Sequence, residues 1–485
     1  MVTPHKPERA AMAGNIHDVW SLIEQDRDAF FALSDAVWDT PELNFEEARS
    51  AAAHAAMLAA RGFKVTTGLA GLPTAVMGEA GEDGPVIAIF GEFDALPGLS
   101  QAADVAQKRE LVAGGPGHGC GHNLLGVGAM MAADGVRRYL ADRGLKGRVR
   151  YYGCPAEEGG SGKGFMVRAG VFDDVDIAIS WHPAAFAGVN APVSLACQEI
   201  VFTFEGRASH AAATPHLGRS ALDACELMSV GVNYLREHMP QSARVHYAYV
   251  DAGGLAPNVV QARAAVRHLV RARTLPELLP LVARVEKIAE GAALMTETRM
   301  SKQIVSADAN LIGCEPLEAL MHRELERLGP PVFDDADRAF AREIQATLSP
   351  QDIAESCRRF GVETKANRPL CDLIVPREAG DVSLVGSTDV GTVSWVVPTV
   401  QMRGATMAIG TPLHTWQVVA QGKSPLAKKG MEHAAKIMAS TALALIEEQG
   451  LIAAAKADHR ARLKDTPFVN PIPDDVEPAL PAAAR

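Results

Sequence analysis

The run Pro85-Val86-Ile87-Ala88-Ile89-Phe90 is apolar at every position and breaks off into Gly91-Glu92-Phe93-Asp94-Ala95-Leu96-Pro97. A strand without polar alternation has to be covered on both faces, which calls for a central place in a sheet flanked by helices. Two further segments repeat this grammar. The strand Gly147 to Gly153 leads into Cys154-Pro155-Ala156-Glu157-Glu158-Gly159-Gly160, and Val175 to Ser180 leads into Trp181-His182-Pro183. Helix-like stretches, Leu124 to Arg143 and Lys163 to Ala169, separate them. Strand, helix, strand with an acid or a histidine at each carboxyl end predicts an α/β fold whose site lies along one sheet edge.

At 485 residues the chain exceeds one ordinary domain, so a second domain or an insertion is expected. Two helices are predicted between Asn15 and Arg61, before the first strand. From Ser194 to about Ala307 the pattern changes: a strand (Glu199 to Phe204), a helix (Ser220 to His238), two strands (Arg244 to Asp251 and Asn258 to Val270), a helix (Leu275 to Thr296) and a strand (Ser301 to Ser306). That βαββαβ order predicts a ferredoxin-like module inserted into a larger sheet-and-helix domain. The expected division is 14–195 and 309–455 for the two parts of the larger domain, 196–308 for the insertion and 456–485 for a tail. The second part should hold helices at Glu315 to Leu328 and Asp337 to Thr347, a run at Val382 to Val397 and a closing helix from Lys428 to Gln449. The Pro- and Ala-rich tail reads as a loosely held piece or as a strap across the surface.

A formal charge of −11 disfavours nucleic acid and anionic membranes as partners. Seven scattered cysteines without a CxxC pair fit a reducing, cytoplasmic setting. The N-terminus lacks the apolar run of a signal peptide, and no segment carries about 18 uninterrupted apolar residues, so no membrane span is expected.

Chemistry concentrates in Gly117-His118-Gly119-Cys120-Gly121-His122-Asn123. Cys120 and His122 are two apart in a Gly-rich turn, so both side chains can face one side; taken alone, such a pair is more often a tight turn with a buried thiol. Glu157 and Glu158 are adjacent and diverge, which lets one bind metal while the other handles a water proton. By themselves they read as a solvated acidic turn, and His182 and His414 read as hydrogen-bonded core histidines. As a set, Cys120, His122, Glu158, His182 and His414 supply five ligands, enough for two divalent metal ions sharing one bridge, with Glu157 spare as a base and Asp94 placed to orient an imidazole. Thiolate, imidazole and carboxylate together admit manganese or zinc.

These motifs, with GEFDALPG, CPAEEGG, SWHP, GRASHAAATPH (Gly206 to His216), GGLAPN (Gly253 to Asn258) and GTPLHT, resemble the dinuclear metallo-aminoacylase and carboxypeptidase family, in its amidohydrolase branch, from about Asn15 to about Gly450. The resemblance implies hydrolysis of the amide bond of an N-acyl or N-aroyl amino acid, such as p-aminobenzoyl-glutamate, by metal-bound hydroxide with Glu157 as general base. An aminohydrolase, another N-acyl amino acid amidase on the same scaffold, or a non-catalytic subunit are the alternatives. It further implies a homodimer formed through the inserted domain, which also acts as a lid, with His210 stabilising the oxyanion in the neighbouring subunit's site. Asn258 is implied in holding the substrate, and Arg271 is a weaker candidate for that task. His118 stays off the metal. Thr392 stands where the most similar pattern in that branch has an acidic residue, a departure that bears on the substrate and not on the metal site.

Overall fold

The computed structural model describes residues 15–365, 367–377 and 386–481. Strands β1 (Lys64–Thr67), β2 (Val76–Glu82), β3 (Val86–Glu92), β4 (Gly147–Cys154), β5 (Ile177–Ala184) and β6 (Gly188–Val189) belong to one sheet. Strands β7 (Ala196–Glu205), β8 (Arg244–Asp251), β9 (Arg263–Ala272) and β10 (Arg299–Asp308) form a second, and β11 (Thr399–Ala405) returns to the first. The large sheet runs β1-β2-β4-β3-β5-β11-β6. Its centre, β4-β3-β5-β11, is parallel, and β1, β2 and β6 pair antiparallel at the edges.

The apolar run at Pro85 is covered as its composition requires. Every residue of β3 is buried. Ile87 and Ile89 enter a core built with the helices Asp18–Trp38, His122–Arg143 and Pro425–Glu447, while Val86, Ala88 and Phe90 pack on the opposite face with Tyr152, Phe165 and Phe172. The Val, Ile and Phe side chains among them contribute roughly 1.5–3 kcal/mol each by leaving water. Because the three central strands run parallel, their carboxyl ends, and the turns beyond them, emerge along one edge.

The second sheet is antiparallel in the order β10-β7-β9-β8, with helices Ala221–Leu235 and Leu275–Thr296 packed on one face around Phe202, Phe204, Val232 and Val285. Its elements succeed one another as strand, helix, strand, strand, helix, strand. The second middle strand begins at Arg263, so Asn258 lies in the preceding loop, where GGLAPN spends two positive-φ glycines, Gly253 and Gly254, on a turn.

Three other expectations shift. The run at Val382 to Val397 begins outside the described residues, as do residue 14 and the last residues of the tail; within the run only Val390–Ser394 is a short helix, and β11 lies beyond it. The helix Pro350–Arg359 has no counterpart among the expected elements. The closing helix bends near Glu448 and continues as Gln449–Leu463, past the expected start of the tail. The segment beyond it is a strap: Gln198 Nε2 donates to Pro471 O (2.9 Å), Arg168 Nη1 donates to the carbonyls of Pro473 (2.6 Å) and Val476 (2.7 Å), and Ile472 is buried. Among the described residues no single helix is long and apolar enough to cross a membrane.

Two core histidines tie stability to pH. His54 Nδ1–H donates to Ser50 O (2.8 Å) with its ring against Phe93, and His433 Nε2–H donates to Gly329 O (2.8 Å). Burial holds each down to about 4. An unfolded histidine titrates near 6.5, so between pH 6.5 and 4 the unfolded chain binds more protons and stability falls as pH falls. The expected slope is roughly 1.4 kcal/mol per pH unit for each histidine in that window. Urea midpoints measured from pH 7 to 4 should fall steeply in the parent and more shallowly in a His54→Gln, His433→Gln protein; equal slopes would contradict the assignment.

Candidate metal centre

The turn after β3 places Asp94, and the turn after β4 places Glu157 and Glu158. His182 sits within β5 near its carboxyl end. Cys120 precedes the helix His122–Arg143, whose entry uses Gly121 in the left-handed region (φ 78°), so that His122 is the first helical residue and points back to the sheet edge. His414 is itself left-handed (φ 61°), a strained conformation for a residue with a Cβ, and its N–H is tied to Gly119 O (2.8 Å). The Glu157-Glu158 turn also needs Ala156 at positive φ, and buried Glu47 secures it by accepting from Ala156 N and Phe45 N (both 2.9 Å) and from Thr74 Oγ1 (2.8 Å). Burial, then the charge of Asp94, raises Glu47 to about 8.

The structure brings Cys120, His122, Glu158, His182 and His414 together. Ligand atoms of Cys120, His122 and His182 lie within 4.8 Å of one another, as do those of Cys120, Glu158 and His414; the two groups share the thiol. Cys120 Sγ is 3.3 Å from His182 Nε2, and Glu158 Oε2 is 3.3 Å from His414 Nε2. A third group joins Glu92, His122 and Glu157.

The tautomers suit metal binding. His122 Nδ1–H donates to Asp94 Oδ1 (2.9 Å) and His182 Nδ1–H donates to Pro183 O (2.8 Å), so each Nε2 is left with a lone pair facing the cluster. Asp94 Oδ2 also accepts from Glu158 N (2.8 Å), linking the orienting carboxylate to the glutamate turn. His122 Nε2, Glu92 Oε2 and Glu158 Oε1 are buried with no hydrogen-bond partner among the described residues. Converging, orphaned soft and borderline donors are the arrangement a cation would satisfy, and the donor set fits zinc or manganese.

The electrostatics favour protonated donors at Cys120 and His122, so metal binding would release protons there. Burial, then Glu92, Glu158 and Asp389, holds the Glu157 carboxyl well above its usual range. Burial and the Glu158 charge raise the Cys120 thiol. Burial opposes a charged His122, but Asp94 and Cys120 outweigh it and raise its pKa. Burial, then Arg403 and His122, pushes His182 well below the ordinary histidine range.

Sequence reasoning assigns no role to four contributing residues, Lys163, Glu92, Asp389 and Arg403. Lys163 is fully buried and its Nζ bridges Glu92 Oε1 and Asp389 Oδ1 (both 2.6 Å); Arg403 stands beside His182 in the β5–β11 register. Glu92 lies two residues before Asp94 in GEFDALPG, and that spacing is the one available signal. A cavity of about 350 Å³ opens in front of the cluster, lined by Cys120, Glu157, Glu158, His182 and His414 on one side and by Arg271, Arg359 and Arg403 elsewhere on its wall. His210 and Asn258 do not line it; they neighbour each other on the second sheet unit, where Ala211 N donates to Asn258 O (3.0 Å) and His210 bridges Val259. His118 donates to Val37 O (3.1 Å) and belongs to none of the ligand groups. Thr392 is also away from the cavity: buried, it accepts from Ala309 N (3.0 Å).

Comparison with known proteins agrees with this geometry. Residues 88–362 match peptidase family M20/M25/M40. The chain is 45% identical over 467 residues, 94% of it and 97% of the relative, to the B subunit of p-aminobenzoyl-glutamate hydrolase from Escherichia coli strain K12. It is 28% identical to the Xaa-Arg dipeptidase of Mus musculus, covering 92% of this chain and 93% of that one. Its fold is similar to that of a dinuclear metal binding peptidase of the M20 family from Bacillus subtilis (TM-score 0.54, 19% identity, 87% and 99% of the two chains). The chain belongs to peptidase family M20/M25/M40 and is a hydrolase.

Proposed function

We propose that the chain hydrolyses the amide bond of an N-acyl or N-aroyl amino acid, p-aminobenzoyl-glutamate being the substrate the 45% identical relative favours. The observation that carries this is the convergence of orphaned ligand atoms and a spare, half-buried glutamate on a cavity whose wall carries three guanidinium groups. Cys120, His122, Glu158, His182 and His414 would hold two divalent ions, manganese or zinc, which when bound polarise an amide carbonyl and acidify water. Asp94 keeps the His122 ring in the ligating tautomer. Glu157 accepts the proton of the attacking water and delivers it to the departing amine nitrogen. Ammonia release by an aminohydrolase is the competing outcome of the same scaffold, distinguished by product. Cleavage before a cationic residue, the reaction named for the mouse relative, is disfavoured by Arg271, Arg359 and Arg403 around the cavity.

The 196–308 unit is proposed as an inserted ferredoxin-like domain that dimerises the chain and closes over the cavity. His210 and Asn258, adjacent to one another and outside this chain's cavity, would then serve the other subunit, His210 of the partner subunit donating to the oxyanion and Asn258 of the partner subunit and Arg271 holding the substrate. Seven buried free cysteines suit a cytoplasmic setting.

Purified protein is expected to carry about two divalent ions per chain by mass spectrometry and to release glutamate from p-aminobenzoyl-glutamate, and Cys120→Ala should lose at least one of the ions. Less than one ion per chain together with no cleavage of any aroyl, acetyl or dipeptide amide would sink the proposal.

A further inference from the structure

We infer that Arg359 and Arg403 form a receptor for the two carboxylates of a dicarboxylic amino acid, so that the leaving half of the substrate is glutamate- or aspartate-like. This rests on the amide-hydrolysis reading and assigns the specificity of that site to two residues on the large-sheet unit.

Arg403 lies on β11 directly opposite His182 of β5, a metal-ligand candidate, and neighbouring residues in register project to the same face. One edge of its guanidinium is fixed by a chain of side chains: Nε donates to Asn190 Oδ1 (2.9 Å), Asn190 Nδ2 donates to Gln401 Oε1 (2.9 Å), and Gln401 Nε2 reaches Ser180 Oγ (3.4 Å). Its two terminal NH2 groups have no partner among the described residues. Arg359, the last residue of the helix Pro350–Arg359, makes no hydrogen bond or ion pair among the described residues, and it lines the same cavity as Cys120, Glu157 and His182.

Two cations on one cavity wall without a direct ion pair among the described residues are unusual in a chain with a net charge of −11, although Glu355 acts on Arg359, and Glu157 and Glu92 on Arg403, from a distance. Elsewhere the fold pairs its guanidiniums closely, as Arg150 does with Glu79 and Asp174. Arg271, the third arginine of the cavity wall, lies in the field of the Asp308 carboxylate. Arg403 and Arg359 present like charges to the same cavity. An anionic ligand relieves that repulsion, and the planar guanidinium fork matches a carboxylate.

The two roles separate by position. The α-carboxylate is attached one carbon from the scissile nitrogen, so it falls to Arg403, in register with His182. The side-chain carboxylate lies farther out and falls to Arg359, which enters the cavity wall from the end of the helix Pro350–Arg359 and not from the strand that carries the ligand. A substrate whose side-chain carboxylate is replaced by an amide keeps the first contact and loses the second.

The test compares p-aminobenzoyl-glutamate with p-aminobenzoyl-glutamine by kcat/KM. The parent should prefer glutamate by about 10- to 100-fold, the range for loss of a charge-assisted contact. Arg359→Gln should collapse that preference to within about threefold of unity, mainly through KM, whereas Arg403→Gln should raise KM for both substrates. Circular dichroism and thermal melting verify folding; if Arg403→Gln does not fold, Arg359→Gln, at an exposed helix end, decides alone. An unchanged glutamate-to-glutamine ratio in Arg359→Gln, or no preference in the parent, overturns the receptor and leaves amide hydrolysis standing. If the parent cleaves neither compound, amide hydrolysis fails instead, and calorimetric binding of the two uncleaved compounds still decides the receptor: tighter binding of the glutamate form supports it and equal affinity overturns it.

Discussion

Glu157→Gln is expected to lower kcat for amide hydrolysis by about 100- to 10,000-fold, the usual worth of a positioned general base, with a much smaller change in KM. Glu157 Oε2 stands 4.0 Å from His122 Nε2, close enough to serve water at the cluster, and burial, then the charges of Glu92, Glu158 and Asp389, raises its affinity for a proton. Cations seated on the neighbouring ligands would draw that affinity back toward neutrality, where a base both accepts and returns a proton efficiently. The adjacent Glu158 provides the control. Its Oε1 is buried without a hydrogen-bond partner among the described residues, 3.9 Å from His122 Nε2, and its Oε2 faces His414, so Glu158→Gln should reduce the metal content of the purified protein, whereas Glu157→Gln should retain it. Kinetics paired with metal analysis on both variants separates the roles. Metal loss in Glu157→Gln with retention in Glu158→Gln would reverse the two assignments, an outcome the grouping of Glu157 with Glu92 and His122 makes worth testing.

The sequence announces the carboxyl ends of the central strands because three apolar runs break off into acids and histidines, and local pattern is enough to read that. Glu158 and His182 follow from it, while Cys120 and His122 are legible from their spacing in a Gly-rich turn, and all four come from within 63 consecutive residues of the chain. His414 requires a set argument, since nothing in Gly-Thr-Pro-Leu-His distinguishes a ligand from a loop histidine. Arg403 is out of reach for a physical reason: its place beside His182 is a register between strands more than two hundred residues apart, and no local periodicity encodes parallel pairing. Arg359 sits on a helix whose start is signalled locally, by Ser349, Pro350 and Asp352 in a capping box, but which buries only Cys357 and so offers little apolar stripe to carry the reading further. Lys163 is the most instructive omission. Lysine is rarely buried unless paired, and its partners, Glu92 and Asp389, meet it only after the chain has closed across the whole intervening sequence.

Lys163→Met is accordingly expected to destabilise the fold by about 3–5 kcal/mol, a large part of the 5–15 kcal/mol typical of a whole domain. The Lys163 ammonium is the countercharge to two fully enclosed carboxylates, and its backbone N–H donates as well to Asp389 Oδ2 (2.9 Å). Burial would depress the ammonium, but Asp389 and Glu92 outweigh it and keep Lys163 charged. Even with the lysine present, burial raises Asp389 to about 7. Removing the lysine leaves Asp389 to protonate further rather than remain a bare buried anion beside Glu92. The sign of the pH effect comes from that protonation. A carboxyl with a raised folded pKa binds more protons in the native state than in the unfolded chain, so the variant gains stability as pH falls toward the unfolded carboxyl range near 4. Its deficit relative to the parent should therefore be largest at pH 8 and smaller at pH 5.5 in urea unfolding. Adding Asp389→Asn to Lys163→Met should recover part of the loss at pH 8, because one of the two uncompensated charges is gone. A deficit that is independent of pH and unmoved by Asp389→Asn would mean that Lys163 acts through packing alone.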